Sequence, residues 1–300
     1  MAEKFSVTLQ DGTIMQGWHW AAENPTVNFT FITGMNEYAF RYDGLAQFFA
    51  SKGIEVWILD ALGQGLNAES VEKQEIWPKD GFAKNVEGIH LMDELAKKNG
   101  LPLVQGGHSM GSFLTQARLE RYPLDSRKTI IIGTNGGQAG LMKIGYKVAK
   151  SKVKEKNWLE PVPALDKMGL GGYTKAVKNR KTDLDWLSYN EENVQKYIAD
   201  PYCGHQDTGS FWLGFLQGMS TLWSKKEMAK ISPKERVYIT AGAEDPVGRN
   251  GKGPEWLAKA YKKLGMTDVT LKIYPHMRHE IHNETGKEQV WNDLAEAIIH

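Results

Sequence analysis

Gly107-His108-Ser109-Met110-Gly111 fits the pattern G-x-S-x-G. It falls where an apolar run, Leu103 to Gly106, gives way to a helical pattern, Gly111 to Tyr122. A serine on a sharp strand-to-helix turn is held in a strained backbone conformation. The two glycines remove side chains that would collide across that turn. The hydroxyl then stands above the C-terminal edge of a sheet, at the positive end of a helix, where a developing anion is stabilised. Such a setting suits nucleophilic attack on a carbonyl. The bland alternative is a glycine-rich turn whose serine caps a helix.

A serine hydroxyl is a weak nucleophile and needs a base. In the order serine, acid, histidine, the base follows the last strands. Three of the eight histidines, His276, His279 and His282, lie after an apolar run that ends at Tyr274. His279 is the preferred base. His276 follows Pro275 and belongs to the bend out of the strand, and His282 lies on the way into the last helix. His19, His90, His205 and His300 read as surface or structural residues. The acid must hold the imidazole tautomer and balance its charge. Asp245, in Ala241-Gly242-Ala243-Glu244-Asp245-Pro246, follows the run Val237 to Thr240. Asp60 competes, but it precedes the serine and reads as a carboxylate that bonds loop amides. Glu244 is expected to point away.

Acyl cleavage places negative charge on the carbonyl oxygen, and two backbone N–H groups should face it. Met110, after the nucleophile, offers one. The other belongs to the loop after Phe29 to Ile32, which reads Thr33-Gly34-Met35-Asn36-Glu37. Gly34 lets that backbone turn inward, so Met35 N–H is the expected donor. No other chemistry gathers support. Gly133 to Gly140 does not fit G-x-G-x-x-G, Gly251-Lys252-Gly253 lacks the remainder of a phosphate loop, and no H-E-x-x-H occurs. No metal and no organic cofactor are expected.

The elements that must position these residues alternate. Phe5 to Leu9 and Ile14 to Trp20 flank an Asp11-Gly12 turn, a hairpin pattern. Short apolar runs follow at Phe29 to Ile32, Val56 to Leu59, Leu103 to Gln105, Ile130 to Ile132, Val237 to Thr240 and Val269 to Tyr274. Both faces of these runs are apolar, as in a parallel sheet covered by helices. Helical spacing marks Tyr42 to Ser51, Phe82 to Asn99, Gly111 to Tyr122, Pro254 to Leu264 and Lys287 to Ile299. The class is therefore α/β, a mostly parallel sheet flanked by helices.

The alternation fails over residues 136–230, too long a stretch for a loop. It contains helical pieces at Leu141 to Val153 and Glu192 to Asp200, and it reads as a helical insertion into a core formed by 1–135 and 231–300. From Leu141 to Lys181 eleven Lys or Arg stand against three Asp or Glu. Such a run is either a solvated helical face or a surface drawn to anionic lipid head groups.

Composition narrows the classes. The 300 residues carry 37 Lys+Arg and 36 Asp+Glu, a net charge of +1, which argues against nucleic acid as the main partner. A 41% apolar share excludes a disordered chain. One cysteine, Cys203, excludes a disulfide framework and a thiolate zinc cluster. With no apolar leader segment and no apolar run of about 18 residues, a cytoplasmic protein is expected.

Taken together the chain resembles the α/β-hydrolases, and within them the monoacylglycerol lipase, lysophospholipase and serine aminopeptidase-like branch. The resemblance runs from about Phe5 to the last helix. Its markers are Thr33 to Glu37 with Arg41-Tyr42, Asp60-Ala61-Leu62-Gly63-Gln64-Gly65, the Ser109 pentapeptide, Asp200-Pro201-Tyr202-Cys203-Gly204, Gly242 to Gly248, and Tyr274 to Glu280. The resemblance implies a Ser109–His279–Asp245 triad, oxyanion donors at Met35 and Met110, and a small-molecule acyl ester as substrate. Amide hydrolysis and acyl transfer use the same triad, and a non-enzymatic ligand-binding scaffold would not. It also implies that 136–230 is a cap whose Trp158, Trp186, Trp212, Trp223 and Phe211 region supply an apolar lining, with Gly34 and Trp212 next to substrate. Two positions depart from the family. Thr33-Gly34 stands where His-Gly is usual, and Gly63-Gln64-Gly65 stands where Gly-His-Gly is usual.

Overall fold

A computed structural model describes residues 2–123 and 125–300. Strands β1 (Ala2–Thr8) and β2 (Ile14–Trp20) form the expected hairpin. Gly12, at φ 85°, closes its turn by donating to Leu9 O at 2.9 Å. Strand and helix then alternate through β3 (Val27–Ile32), α1 (Asp43–Ser51), β4 (Ile54–Leu59), α2 (Gly81–Ala96), β5 (Leu103–His108), α3 (Met110–Arg121) and β6 (Lys128–Ile132). Next come α4 (Ala139–Lys152), α5 (Pro163–Gly169), α6 (Gly171–Ala176), α7 (Glu191–Ala199), α8 (Gly209–Met219) and α9 (Lys225–Met228), with no strand of the sheet among them. Alternation resumes in β7 (Arg236–Gly242), α10 (Lys252–Lys263), β8 (Asp268–Tyr274) and α11 (Lys287–Ile299).

The eight strands form one sheet in the order β1-β2-β4-β3-β5-β6-β7-β8. The pairs β1·β2 and β2·β4 are antiparallel, and every pair from β4·β3 to β7·β8 is parallel. Central strands are buried on both sides; every residue of β3, β5 and β6 is buried. Their alternate side chains feed two cores. Phe29, Phe31, Val56 and Ile58 pack with Phe49 of α1 and Leu294 of α11. On the other face Ile32, Leu59 and Ile131 pack with α2, α3 and the inserted helices.

The sequence pattern locates α4 and α7 to within a few residues, but α5, α6, α8 and α9 carry no readable period. In α8 the reason is physical. Ser-Phe-Trp-Leu-Gly-Phe-Leu is apolar on most sides because the helix packs against both α4 and α2, so no polar stripe alternates with an apolar one. Its start does carry a signal: Thr208 Oγ1 accepts from Phe211 N at 3.2 Å as an N-cap. Among the described residues no helix is long and apolar enough to cross a membrane.

Candidate active site

Ser109 sits between β5 and α3 at φ 54°, ψ −119°. A non-glycine residue held there stores about 1–3 kcal/mol of strain, which its surroundings must offset. Its amide donates to Ile132 O at 3.0 Å. A Cβ on Gly107 would lie 2.4 Å from Gly111 O, and one on Gly111 would lie 2.3 Å from Ile32 O. The sharp turn therefore depends on both glycines, as the pentapeptide suggests.

Asp245 leaves the loop after β7, and His279 leaves the loop after β8. Gly242 is the point where these loops meet: a Cβ there would lie 2.2 Å from Met277 O and from Arg278 O. His279 Nδ1 bonds Asp245 Oδ2 at 3.0 Å, and Val247 N donates to Asp245 Oδ1 at 2.8 Å. Both side chains are buried, and His279 Nε2 has no protein partner among the described residues. With Nδ1–H donated to the carboxylate, the Nε2 lone pair is free to take a proton. Burial disfavours the imidazolium, but the charge and hydrogen bond of Asp245 outweigh it and raise the His279 pKa above its ordinary value. Ser109 and His279 line the same cavity.

The other histidines separate cleanly. His276 is solvent-exposed at φ 55°. His282 is buried and stacked on Tyr42, with ring centroids 5.0 Å apart. Burial first, and His108 next, push its pKa down to about 3, so its ring is neutral. His19 bonds Glu55, and His90 stacks on Tyr122. His205 bonds Pro201 O and also borders the cavity. Asp60 binds loop amides, as expected, accepting from Ala39 N at 2.7 Å and Leu66 N at 2.9 Å. Burial pushes its pKa up to about 7. Glu244 turns away to the Tyr189 hydroxyl.

The loop after β3 lies against the serine; a Cβ on Gly34 would be 3.2 Å from Ser109 Cβ. Met35 and Met110 both line the cavity, and neither amide has a backbone or side-chain acceptor among the described residues. Gly34 itself is not in the cavity wall; its N–H is taken by Glu37 Oε1 at 2.6 Å. That carboxylate anchors a network absent from the sequence reading. Glu37 also accepts from Tyr42 OH at 2.5 Å and from Arg41 at 2.7 Å. Arg41 reaches on to both oxygens of Glu280 at 2.8 Å. Tyr42 OH meets His108 Nδ1 at 3.0 Å, and His108 Nε2 lies 3.3 Å from His279 O. Burial opposes the Glu37 charge, yet His108 and Arg41 hold its pKa down at about 2. The available signal was charge placed beside motif residues: His108 inside the pentapeptide and Glu280 after His279.

The cavity encloses about 500 Å³, within the ordinary range for small-molecule sites. Its wall is mainly apolar and is drawn largely from residues 136–230, with Trp212 and Phe215 on α8 and Trp186 and Trp223 on the turns between helices. Trp212 is oriented by Nε1–H donation to Asp166 at 2.6 Å. Two aromatics expected in the lining are elsewhere. Phe211 packs on Trp77, 4.9 Å between centroids, and Trp158 packs against the core beyond the cavity.

A mostly parallel sheet with a strained serine between β5 and α3, and an acid and a histidine on the loops after β7 and β8, defines the α/β-hydrolase class. The model of the serine aminopeptidase S33 family matches residues 23–286. The chain belongs to that family. A monoacylglycerol lipase of Mycolicibacterium smegmatis is 25% identical over 274 residues, covering 89% of this chain and 85% of that one. The structure of a thermostable carboxyl esterase from Bacillus coagulans superposes with a TM-score of 0.88 at 24% identity, covering 99% and 96% of the two chains. A soluble variant of the Saccharomyces cerevisiae monoglyceride lipase gives 0.74 at 20% identity, covering 99% and 94%.

Proposed function

We propose that this protein is a carboxylic ester hydrolase acting on acyl esters of the monoacylglycerol or lysophospholipid kind. The observation that carries the reading is the buried His279, bonded to Asp245 at 3.0 Å through Nδ1, with Nε2 unpartnered in the cavity that holds Ser109. His279 takes the Ser109 proton as the oxygen attacks the ester carbonyl. The amides of Met35 and Met110 receive the oxyanion. His279 then protonates the departing alcohol, and water frees the acyl group by the same steps with roles reversed. The inserted segment, 136–230, serves as the cap, with Trp212 in the acyl wall and Gly34 bringing its loop against the serine. The family description and the names of the relatives point to different bonds, and the cavity favours the ester. An aminopeptidase must hold an α-ammonium with a free carboxylate. The carboxylates of the wall, Glu37 and Glu280, are both engaged by Arg41.

Hydrolysis of a p-nitrophenyl ester series tests this. Turnover should peak at medium or long acyl chains, and Ser109→Ala should lower kcat by several orders of magnitude, about 10⁴-fold or more. Activity that survives Ser109→Ala removes the mechanism. Aminoacyl amides cleaved faster than esters would move the assignment to amide hydrolysis. The basic, apolar rim of the cap also suits peripheral contact with a lipid surface.

A further inference from the structure

Behind the loop of Gly34 to Glu37 lie two buried carboxyls that no step of the reaction uses. Glu75 is 1% exposed and Asp207 is fully buried. Neither has a Lys, Arg or His partner among the described residues. Glu75 Oε1 accepts from Asn36 N at 3.2 Å, and Asp207 Oδ1 accepts from Asn36 Nδ2 at 3.2 Å. Asp207 Oδ2 and Asn36 Oδ1 are both buried acceptors without a partner among the described residues, on two side chains already bonded to each other. Gln64 repeats the pattern. One end of its amide lies 2.9 Å from Gly34 O and 2.6 Å from Glu37 O, with Glu37 N farther off at 3.3 Å, so the two close acceptors make that end the NH2. The other end is then the oxygen, and it faces Glu75 Oε2 at 3.4 Å. Oxygen facing oxygen calls for a proton between them. Glu75 also holds φ 56°, which a glutamate keeps only where its surroundings fix it.

The groups around the pair add no cation. Asp166 from α5 adds a further negative charge, and Tyr197 OH from α7 donates to Asn36 O at 2.9 Å. Arg41, on the far side of the loop, is bonded to Glu37 and Glu280. Burial, and then the mutual repulsion of these acids, raises the pKa of both carboxyls well above the ordinary range. Two buried charges without a cation would each cost several kcal/mol, so the neutral form wins.

We infer that Glu75 and Asp207 are positioning residues kept as neutral acids, whose protons hold Gln64 and Asn36 and through them fix the backbone of the Met35 oxyanion loop. The inference rests on the ester-hydrolase reading for the meaning of that loop. Glu75 donates to Gln64 Oε1, and the Gln64 NH2 holds Gly34 O and Glu37 O. Asp207 donates across to the Asn36 amide oxygen. Asp207 precedes α8, and the Thr208 hydroxyl donates to Glu75 O at 2.5 Å, so the cap shares in aiming the loop.

Infrared difference spectra of Glu75→Gln and Asp207→Asn against the wild type, at neutral pH, read the acid form through its C=O stretch. Each substitution should remove one neutral-carboxyl band; loss of carboxylate bands instead would overturn the inference. Kinetics then test the consequence. Glu75→Ala and Asp207→Ala should lower kcat on a p-nitrophenyl ester about tenfold to a hundredfold, less than deleting an oxyanion donor, with KM changed less than about threefold. Glu75→Gln and Asp207→Asn should recover most of the loss, since an amide NH2 can donate as the acid did. Folded alanine variants with wild-type kcat, or amide variants as slow as alanine, would overturn it. If the alanine variants do not fold, the alkaline limb decides. Wild-type kcat should fall as the acids ionise, and the Glu75→Gln/Asp207→Asn double variant should be flat there; superimposable profiles would sink the idea. Failure of the ester reading shows separately, as a wild type with no Ser109-dependent turnover, and the infrared bands are read independently of it.

Discussion

In the proposed mechanism His279 must be neutral to accept the Ser109 proton, and Asp245 favours its charged form. Its pKa is raised in the folded protein, so the base is lost to protonation at a higher pH than a free imidazole would be. The acid limb of kcat/KM should therefore fall with an apparent pKa above about 6.5. Asp245→Asn should move that limb to lower pH and cut kcat about 10³–10⁴-fold. A pH–rate profile of both proteins checks this, and an unmoved limb would remove Asp245 from its role. At this scale the sequence was most legible where chemistry imposes order along the chain. The places of Ser109, Asp245 and His279, the proposed triad, could be read because each follows a readable strand. The network of Glu37, Arg41 and Glu280 could not, because only its Glu37–Arg41 link is local and nothing in the sequence says that Arg41 meets Glu280.

The strands and helices hold these side chains through contacts of backbone on backbone. Gly111 brings α3 against the end of β3, where any Cβ would meet Ile32 O at 2.3 Å. Gly111→Ala must push α3 and the Met35 loop apart. A loss of about 2 kcal/mol or more is expected, at the upper end for single substitutions. It should be seen as a lower Tm together with slower fluorophosphonate labelling of Ser109. A variant that unfolds and labels like the wild type would refute the close contact. The core strands were legible because a fully buried run such as Ile130 to Ile132 is short, branched and bounded by turns. The observed elements extend most of these runs, β5 through His108 for example, because ladder bonds continue past the last apolar side chain.

Across the whole molecule, the insertion gathers the features that composition alone hinted at. Leu141, Ile144 and Met168 are exposed yet also border the cavity, and the lysines of α4 lie beside them. We expect binding to vesicles that contain anionic lipid, weakening as salt rises because screening shortens the reach of those charges. Lys147→Glu with Lys150→Glu should weaken the binding further and spare turnover of a water-soluble short-chain ester, since neither lysine lines the cavity. Sedimentation over a salt series would show it, and equal binding to neutral and anionic vesicles would rule out the electrostatic part. The break in alternation marks residues 136–230 in the sequence; the helices within stayed hidden because they answer to one another and to α2, not to water.

Gly107, Gly111 and Gly242 are places where the protein needs nothing at all. Each marks two backbones in contact, and every substitution there adds atoms. The cavity wall supplied by residues 136–230 is the opposite kind of surface, made of side chains that can trade volume with a ligand and with one another. Descent acts unequally on the two. A change at Leu141, Met168 or Trp212 reshapes the cavity wall and leaves the backbone contacts at the three glycines untouched. Divergence in such proteins should accumulate as changes of appetite long before it appears as a change of trade.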